Sequence, residues 1–332
     1  MVHQINPGLA RLYSENLTRQ YGYKSPTVLS GLTDGQHRAL DLLELGVSDN
    51  QLNLLPRMAS ADATEIQDLI ARLGGVLRRT QSHFPELSDQ HVQLRFKEIL
   101  RLFASTSIDP IEAMKNRSRA RIFMNKLSPF GLVLAKGLAA AGIGVILSDD
   151  QVRVSSQDLG PLGFRSEDLG KPRVTASRDE LSGQINIQHH SRITSGFDTV
   201  DVALLIATDV LNPTVYQRWL SRDIPHLLVN FDEAGVEVSH LVVPGITPCL
   251  GCLELTKAQS SDKWHVFATQ LDYLDRDFSD AASTLFGASI ALTRTLERID
   301  VPFPSSKLTA LRLDRTTGVR ELQVESVNCG CR

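Results

Sequence analysis

Apolar positions recur along the chain first at alternating spacing, then at helical spacing, and from about residue 119 in longer unbroken runs. Alternation around Ala10–Tyr13 and Thr27–Leu32 predicts two strands, with Glu15, Asn16 and Gly22 as turn material between them. Thr33-Asp34-Gly35 is a helix start, and Leu40, Leu42 and Leu43 give Gln36–Glu44 an apolar face. Ile66, Leu69, Ile70 and Leu73 mark a further helix, closed by Gly74-Gly75. Strands with two or three short helices predict a small winged-helix-like α+β module over residues 1–80. The polar stretch Arg78–Ser88 reads as a linker, and Val92, Leu94, Ile99, Leu100 and Phe103 line one face of a helix over Asp89–Phe103, so residues 81–116 are expected to connect two domains.

From Arg119 the order is apolar strand (ARIFMN), turn (KLSPFG), small-residue helix (LVLAKGLAAAG) and apolar strand (IGVILSDD), which is a βαβ unit. Val200–Thr208, a helix through Val215–Ser221 and Pro225–Asn230 continue the alternation, and His240–Val243 precedes Pro244-Gly245 and the first cysteine pair. Ala281–Arg298 predicts a long helix, and Leu308–Asp314 with Val319–Ser326 a terminal hairpin. Residues 117–332 are therefore expected to form one Rossmann-like α/β domain.

Composition narrows the partners. The chain has 332 residues, 42% of them hydrophobic, and its 35 basic against 38 acidic residues leave a net charge of -3. That balance predicts no broad nucleic-acid or anionic-membrane surface. No run approaches the ~20 apolar residues that span a bilayer, and the N-terminus lacks the basic-then-apolar order of a secretion signal. A soluble, cytoplasmic protein is the expectation.

In a reducing compartment, cysteines at CxxC and CxC spacing read as metal ligands rather than disulfides. Cys249 and Cys252 lie in PCLGC, Cys329 and Cys331 in NCGCR, and there is no fifth cysteine. Four thiolates complete a tetrahedron with no vacancy, so the predicted site is structural Zn²⁺; the plainer alternative is four unrelated buried thiols. If all four bind metal, no thiol remains for thioester or persulfide chemistry.

The turn Lys126–Gly131 lies where dinucleotide and ATP sites carry GxGxxG, and only Gly131 matches. Lys126 and Ser128 replace the first two glycines, and Pro129 has no N–H to offer a phosphate. Lys126 is either a compensating cation or an ordinary solvated lysine. Asp149 stands where an acidic residue would hold a ribose hydroxyl, or simply ends its strand. Asp209, in ATD, is placed to hold Mg²⁺, or to cap the helix that follows.

Several segments in this order resemble the ThiF/MoeB superfamily of ubiquitin-activating-enzyme-like adenylyltransferases: LAAAGIGVILSDD, FRSEDLGKPRV, ATD at Ala207–Asp209 and LVVPGITPCLGCLEL. The family's phosphate-binding Arg-Gln pair has Gly160-Pro161 in its place, so two of three phosphate-handling elements are absent. A resemblance over nearly the whole chain is to ThiF-like proteins of thiazole/oxazole-modified microcin clusters, through INPGL, Gly31–Thr33, DLGPLG, GKPR, PGITPCLGCLEL and KWHVFATQL. What these resemblances imply is a homodimer whose N-terminal module clamps a leader peptide or small protein by β-augmentation and presents it to a partner modifying enzyme. The alternative they imply is an active adenylyltransferase using ATP and Mg²⁺, with Lys126 or Arg173 supplying the missing phosphate contacts. Trp264, His265 and Gln270 lie in segments shared with the second family and receive no role.

Overall fold

The computed structural model describes residues 1–14, 17–80, 93–105, 108–189, 200–274, 276–301, 308–324 and 329–331. It comprises two compact units, Met1–Lys115 and Asn116–Arg332.

In the first unit, strand β1 (Val2–Ile5) lies between β5 (Val47–Ser48) and β6 (Leu77–Thr80), both antiparallel to it. A separate antiparallel sheet is formed by β2 (Arg11–Ser14), β3 (Thr18–Tyr21) and β4 (Thr27–Leu29). Helices α1 (Asp34–Leu45), α2 (Asp49–Leu52), α3 (Leu55–Met58) and α4 (Ala63–Leu73) complete this part. Thr33 and Gln36 form a reciprocal capping box at the start of α1, and Asp62 and Glu65 do the same for α4. Ile5, Tyr21, Leu29, Leu40, Leu43, Leu69 and Leu73 build one core from both sheets and the helices. The predicted strands at Ala10–Tyr13 and Thr27–Leu32 appear as β2 and the shorter β4. The turn at Glu15 and Asn16 lies outside the described residues. Leu77–Thr80, at the start of the predicted linker, is strand β6, and most of the remainder of that linker is also outside them. The predicted helix Asp89–Phe103 is seen as α5 (Phe96–Ala104), where Ile99 and Leu102 pack with Ala113 and Met114 of α6 (Pro110–Arg119).

The second unit holds an eight-stranded mixed sheet in the order β14-β13-β12-β11-β10-β7-β8-β9. Its parallel part consists of β7 (Arg121–Met124), β8 (Val145–Ser148), β9 (Asn186–His189), β10 (Val202–Thr208) and β11 (His226–Asp232). The antiparallel part is β12 (Gly235–Val238), β13 (Thr309–Asp314) and β14 (Gly318–Gln323). Successive residues alternate faces, so Ile122, Leu204 and Ile206 enter one core and Phe123, Ala203 and Leu205 the other. The first core is covered by α7 (Pro129–Ala141), α8 (Arg173–Glu180) and α12 (Ala281–Asp300); the second by α9 (Pro213–Leu220) and the start of α10 (Leu250–Ser260). Coverage on both faces explains why β10 and β11 read as unbroken apolar runs. Helix α11 (Trp264–Leu271) follows α10.

The sheet's turn to antiparallel pairing is made by β12, a strand absent from the sequence reading. Asp232 accepts hydrogen bonds from the N–H groups of Ala234 and Gly235, which folds the chain straight back onto β11. His240, Leu241 and Val242 are buried, and Val242 forms an isolated antiparallel bridge with His226. Among the described residues no helix is long and apolar enough to cross a membrane.

Candidate functional site

The strand order reverses between β7 and β10, which places a crevice at the carboxyl ends of the parallel strands. A cavity of about 560 Å³ opens there, lined by Lys126, Ser128, Arg153, Asp158, Arg173 and Arg276 among others. Phe130, Val152, Ile206 and Phe231 give it an apolar wall.

The turn into α7 has few donors to offer an anion. Leu127 N–H donates to Asp150 Oδ2 at 2.7 Å, and Gly131 N–H points at Ser128 Oγ, the helix N-cap, at 3.4 Å. Pro129 has none. Asp150, 5% exposed, also accepts from Val152 N–H at 2.8 Å, so this carboxylate pins the turn to the end of β8. Gly131 is required by packing: a Cβ there would lie 2.4 Å from the Lys126 carbonyl oxygen. It corresponds to the third glycine of the pattern, whose role is close helix–strand contact rather than phosphate approach.

Each acidic group singled out in the sequence has an arginine partner. Asp149 does not line the cavity; its Oδ2 accepts from Arg218 Nη1 at 2.9 Å, and that guanidinium stacks 4.8 Å from the ring centres of both Phe123 and Trp219. Asp209 adopts a left-handed backbone (φ 62), which Asp tolerates better than most residues, and its N–H donates to Phe231 O at 2.7 Å. Its Oδ2 accepts from Arg276 Nη2 at 2.7 Å and Nε at 3.1 Å. Asp158 is held by Arg173 through two bonds of 2.6 and 3.2 Å. Lys126 lines the cavity. Three contributors escaped sequence reasoning: Asp150, hidden by its neighbour in the DD pair; Asp158; and Arg276, which lies between two helices in a segment without a motif.

Mg²⁺ does not fit these donors as they stand. A guanidinium already sits on the Asp209 carboxylate, Asp158 in the cavity lining is likewise closed by Arg173, and Asp277, the second carboxylate of that lining, accepts from Ser279 N–H through Oδ1.

The four cysteines do converge. Cys249 caps α10, Cys252 lies in its first turn, and the chain returns after the β13–β14 hairpin to bring Cys329 and Cys331 alongside. All four sulfurs lie within 4.8 Å of one another, with separations of 3.2, 3.6, 3.8 and 3.9 Å among the close pairs. A tetrahedron with ~2.3 Å metal–sulfur bonds has edges of ~3.8 Å, so the donor set fits a metal ion and is too open for disulfides. Burial pushes the Cys249 and Cys329 thiols up, while the hydrogen bond with Cys329 pulls Cys331 down. A bound cation would let all four ionise together.

Two histidines of this unit are fully buried. His226 Nδ1 donates to Ile224 O at 2.9 Å, and His240 Nε2 donates to Pro248 O at 2.7 Å, one residue before Cys249. Burial, with a smaller contribution from His240, pushes His226 down to about 4. Because the folded value lies below the unfolded one of about 6.5, the stabilisation is complete above pH 6.5 and is lost as pH falls towards 4. The expected loss over that window is about 3 kcal/mol. Denaturant titrations should show this slope flattened in His226→Gln; equal slopes in the two proteins would contradict it.

No protein-family profile matches the chain, and no curated protein matches it. Solved structures do. Escherichia coli MccB bound to ATP has a TM-score of 0.69 at 12% identity, covering 99% of this chain and 98% of that one. The microcin C7 biosynthetic enzyme MccB in complex with N-formylated MccA has a TM-score of 0.69 at 13% identity, covering 100% and 99%. PaaA has a TM-score of 0.70 at 14% identity, covering 96% and 99%. The chain thus has the ThiF-like fold of these proteins along its length, at identities that speak to fold alone.

Proposed function

We propose that this chain is a ThiF-type protein that binds a peptide or small protein without adenylating it and presents it to a partner modifying enzyme. The observation that carries this reading is the Arg276 guanidinium on Asp209, the one carboxylate placed to hold Mg²⁺. The turn before α7 supports it, since the N–H of Leu127 is taken by Asp150. Nucleotide and peptide are both ligands of MccB, which was solved with ATP and with MccA.

In this proposal the first 80 residues are a winged-helix-like clamp, and an extended peptide adds as a strand to one of its sheet edges. The body is a scaffold stapled by structural Zn²⁺ on Cys249, Cys252, Cys329 and Cys331, and the protein acts as a cytoplasmic homodimer. The competing reading, an ATP- and Mg²⁺-dependent adenylyltransferase, draws on the cavity itself and on Lys126, Arg153 and Arg173 around it. It requires Arg276 to leave Asp209.

The two readings separate in one assay. Purified full-length protein with a peptide encoded alongside it is expected to give no ATP–pyrophosphate exchange in Mg²⁺, and Asp209→Ala is expected to change nothing. The same peptide should protect backbone amides within residues 1–80 from hydrogen exchange. Exchange activity that Asp209→Ala abolishes would overturn the proposal.

A further inference from the structure

We propose that the cysteine cluster is also an oxidation site: a neutral hydroperoxide reaching it through the cavity beside α11 oxidises Cys329, couples it to Cys252 as a disulfide and so displaces the metal. This rests on the reading of the cluster as a metal staple.

A cavity of about 680 Å³ lies against the cluster, lined by residues of α9, α10, α11 and the chain end. Cys249, Cys329 and Cys331 form part of its wall, and Cys329 and Cys331 are only half-buried. Cys252 does not line it and is 0% exposed. An oxidant therefore meets the chain-end sulfurs first. Cys252 Sγ lies 3.2 Å from Cys329 Sγ, against 3.6 Å for Cys249 Sγ. Closing the shorter gap to a disulfide takes a shift of about 1 Å. Gly330, with φ 76 and open space where a Cβ would lie, lets the chain-end segment make that shift.

The step balances with the hydroperoxide as the one oxidant. Metal-bound thiols are held as thiolates, and the thiolate is the nucleophile. The Cys329 thiolate attacks the O–O bond, takes one oxygen as a sulfenic acid and expels an alkoxide, which a proton from solvent converts to the alcohol. The Cys252 thiolate then attacks that sulfur, forming the S–S bond and expelling hydroxide, which a second proton converts to water. Two thiolates lose two electrons, and the hydroperoxide is reduced to alcohol and water. Cys249 and Cys331 remain as two ligands of the four that a closed site needs.

Charge sets the class of oxidant. No lysine or arginine is among the described residues that line the cavity. Glu254 is paired by Lys257 at 3.0 Å, whereas Asp272 accepts from Asn212 Nδ2 at 3.0 Å and pairs with no cation among the described residues. Four thiolates also outweigh the charge of one divalent ion. The cavity thus repels an anionic oxidant such as glutathione disulfide, while Leu211, Leu220, Leu255, Trp264 and Ala268 offer an organic hydroperoxide an apolar path.

The test treats reduced full-length protein carrying its metal with cumene hydroperoxide, hydrogen peroxide or glutathione disulfide. A chromogenic chelator reads metal release, peptide mapping reads thiol pairing, and each rate is divided by that of the same oxidant with free cysteine. Both hydroperoxides should release the bound ion, and the mapped disulfide should join Cys252 to Cys329. Glutathione disulfide should be slower by about tenfold or more on that scale, the size of a charged cleft's effect on encounter rates. Thr269→Trp, at an exposed position of the cavity wall, should keep the metal and the melting temperature yet slow release by cumene hydroperoxide several-fold. Release as fast by glutathione disulfide, a disulfide without Cys329, or an unaltered rate in Thr269→Trp would overturn the inference. Metal that stays bound under peroxide would overturn it and leave the staple standing, whereas reduced protein purified without metal would overturn both.

Discussion

Replacing Cys329 by serine is expected to release the bound metal and to lower the melting temperature of the α/β unit by about 10 °C or more. Closed four-ligand sites carry folding energy directly, on the order of 10 kcal/mol in isolated zinc peptides. Even about 4 kcal/mol in a unit of this size corresponds to about 10 °C. Cys329 is the informative position because it is only half-buried, so its loss removes a ligand without opening a core cavity. Cys252, by contrast, is 0% exposed and packs among Trp219, Leu205 and Val242, so its replacement would mix ligand loss with lost packing. The site joins α10 to the last residues of the chain, and residues 325–328 before it lie outside the described region. Metal analysis should find one ion per wild-type chain and none in Cys329→Ser, and a chelator should bring the wild type down to the variant's melting temperature. A wild type purified without metal, melting at the same temperature with or without chelator, would refute the staple.

The cysteine cluster was legible because short spacing in sequence already fixes two pairs of ligands, and a predicted terminal hairpin supplied the return path. The parallel strands were legible for a similar reason: burial on both faces leaves apolar runs such as Val202–Thr208 with no alternative reading. Strands that lacked this signal were missed. β1 (VHQI) and β3 (TRQY) carry polar residues whose partners are distant in sequence; Arg19, for instance, is buried by bonding Asp41 and Glu44. β12 was missed because the Asp232 turn that folds it back onto β11 is a hydrogen-bonding feature with no apolar signal.

The site divides the same way. That the glycine loop is degenerate follows from the sequence alone, and the sequence also marks Asp209. That Asp209 is closed by Arg276 does not, because the two meet through loop geometry at a separation of 67 residues. Pattern reading identifies which groups are available to a ligand; only the fold shows which of them another side chain has already engaged.

Asp300→Asn is expected to destabilise the α/β unit by about 3–5 kcal/mol, the range for breaking one half of a buried ion pair. Arg117 donates from Nε to Asp300 Oδ1 at 2.8 Å and from Nη2 to Oδ2 at 2.6 Å, and the two side chains are 4% and 5% exposed. Arg117 Nη1 also reaches the Ala141 carbonyl at 3.1 Å, at the last residue of α7. The pair therefore fastens the end of α12 to the end of α7, the two helices whose opposite ends meet where Gly287 packs on Phe130, part of the cavity wall. Removing the negative charge leaves the guanidinium buried against a neutral amide, which is where most of the cost arises. If that account is right, the double replacement Arg117→Met with Asp300→Leu should recover most of the loss, because neither charge is then buried. A remaining deficit of about 1 kcal/mol would reflect the Ala141 carbonyl without its donor. Denaturant unfolding of the two single variants and the double variant gives the coupling energy directly. A cost below about 1 kcal/mol for Asp300→Asn would mean that water reaches the pair and that the helices are held by their apolar contacts alone.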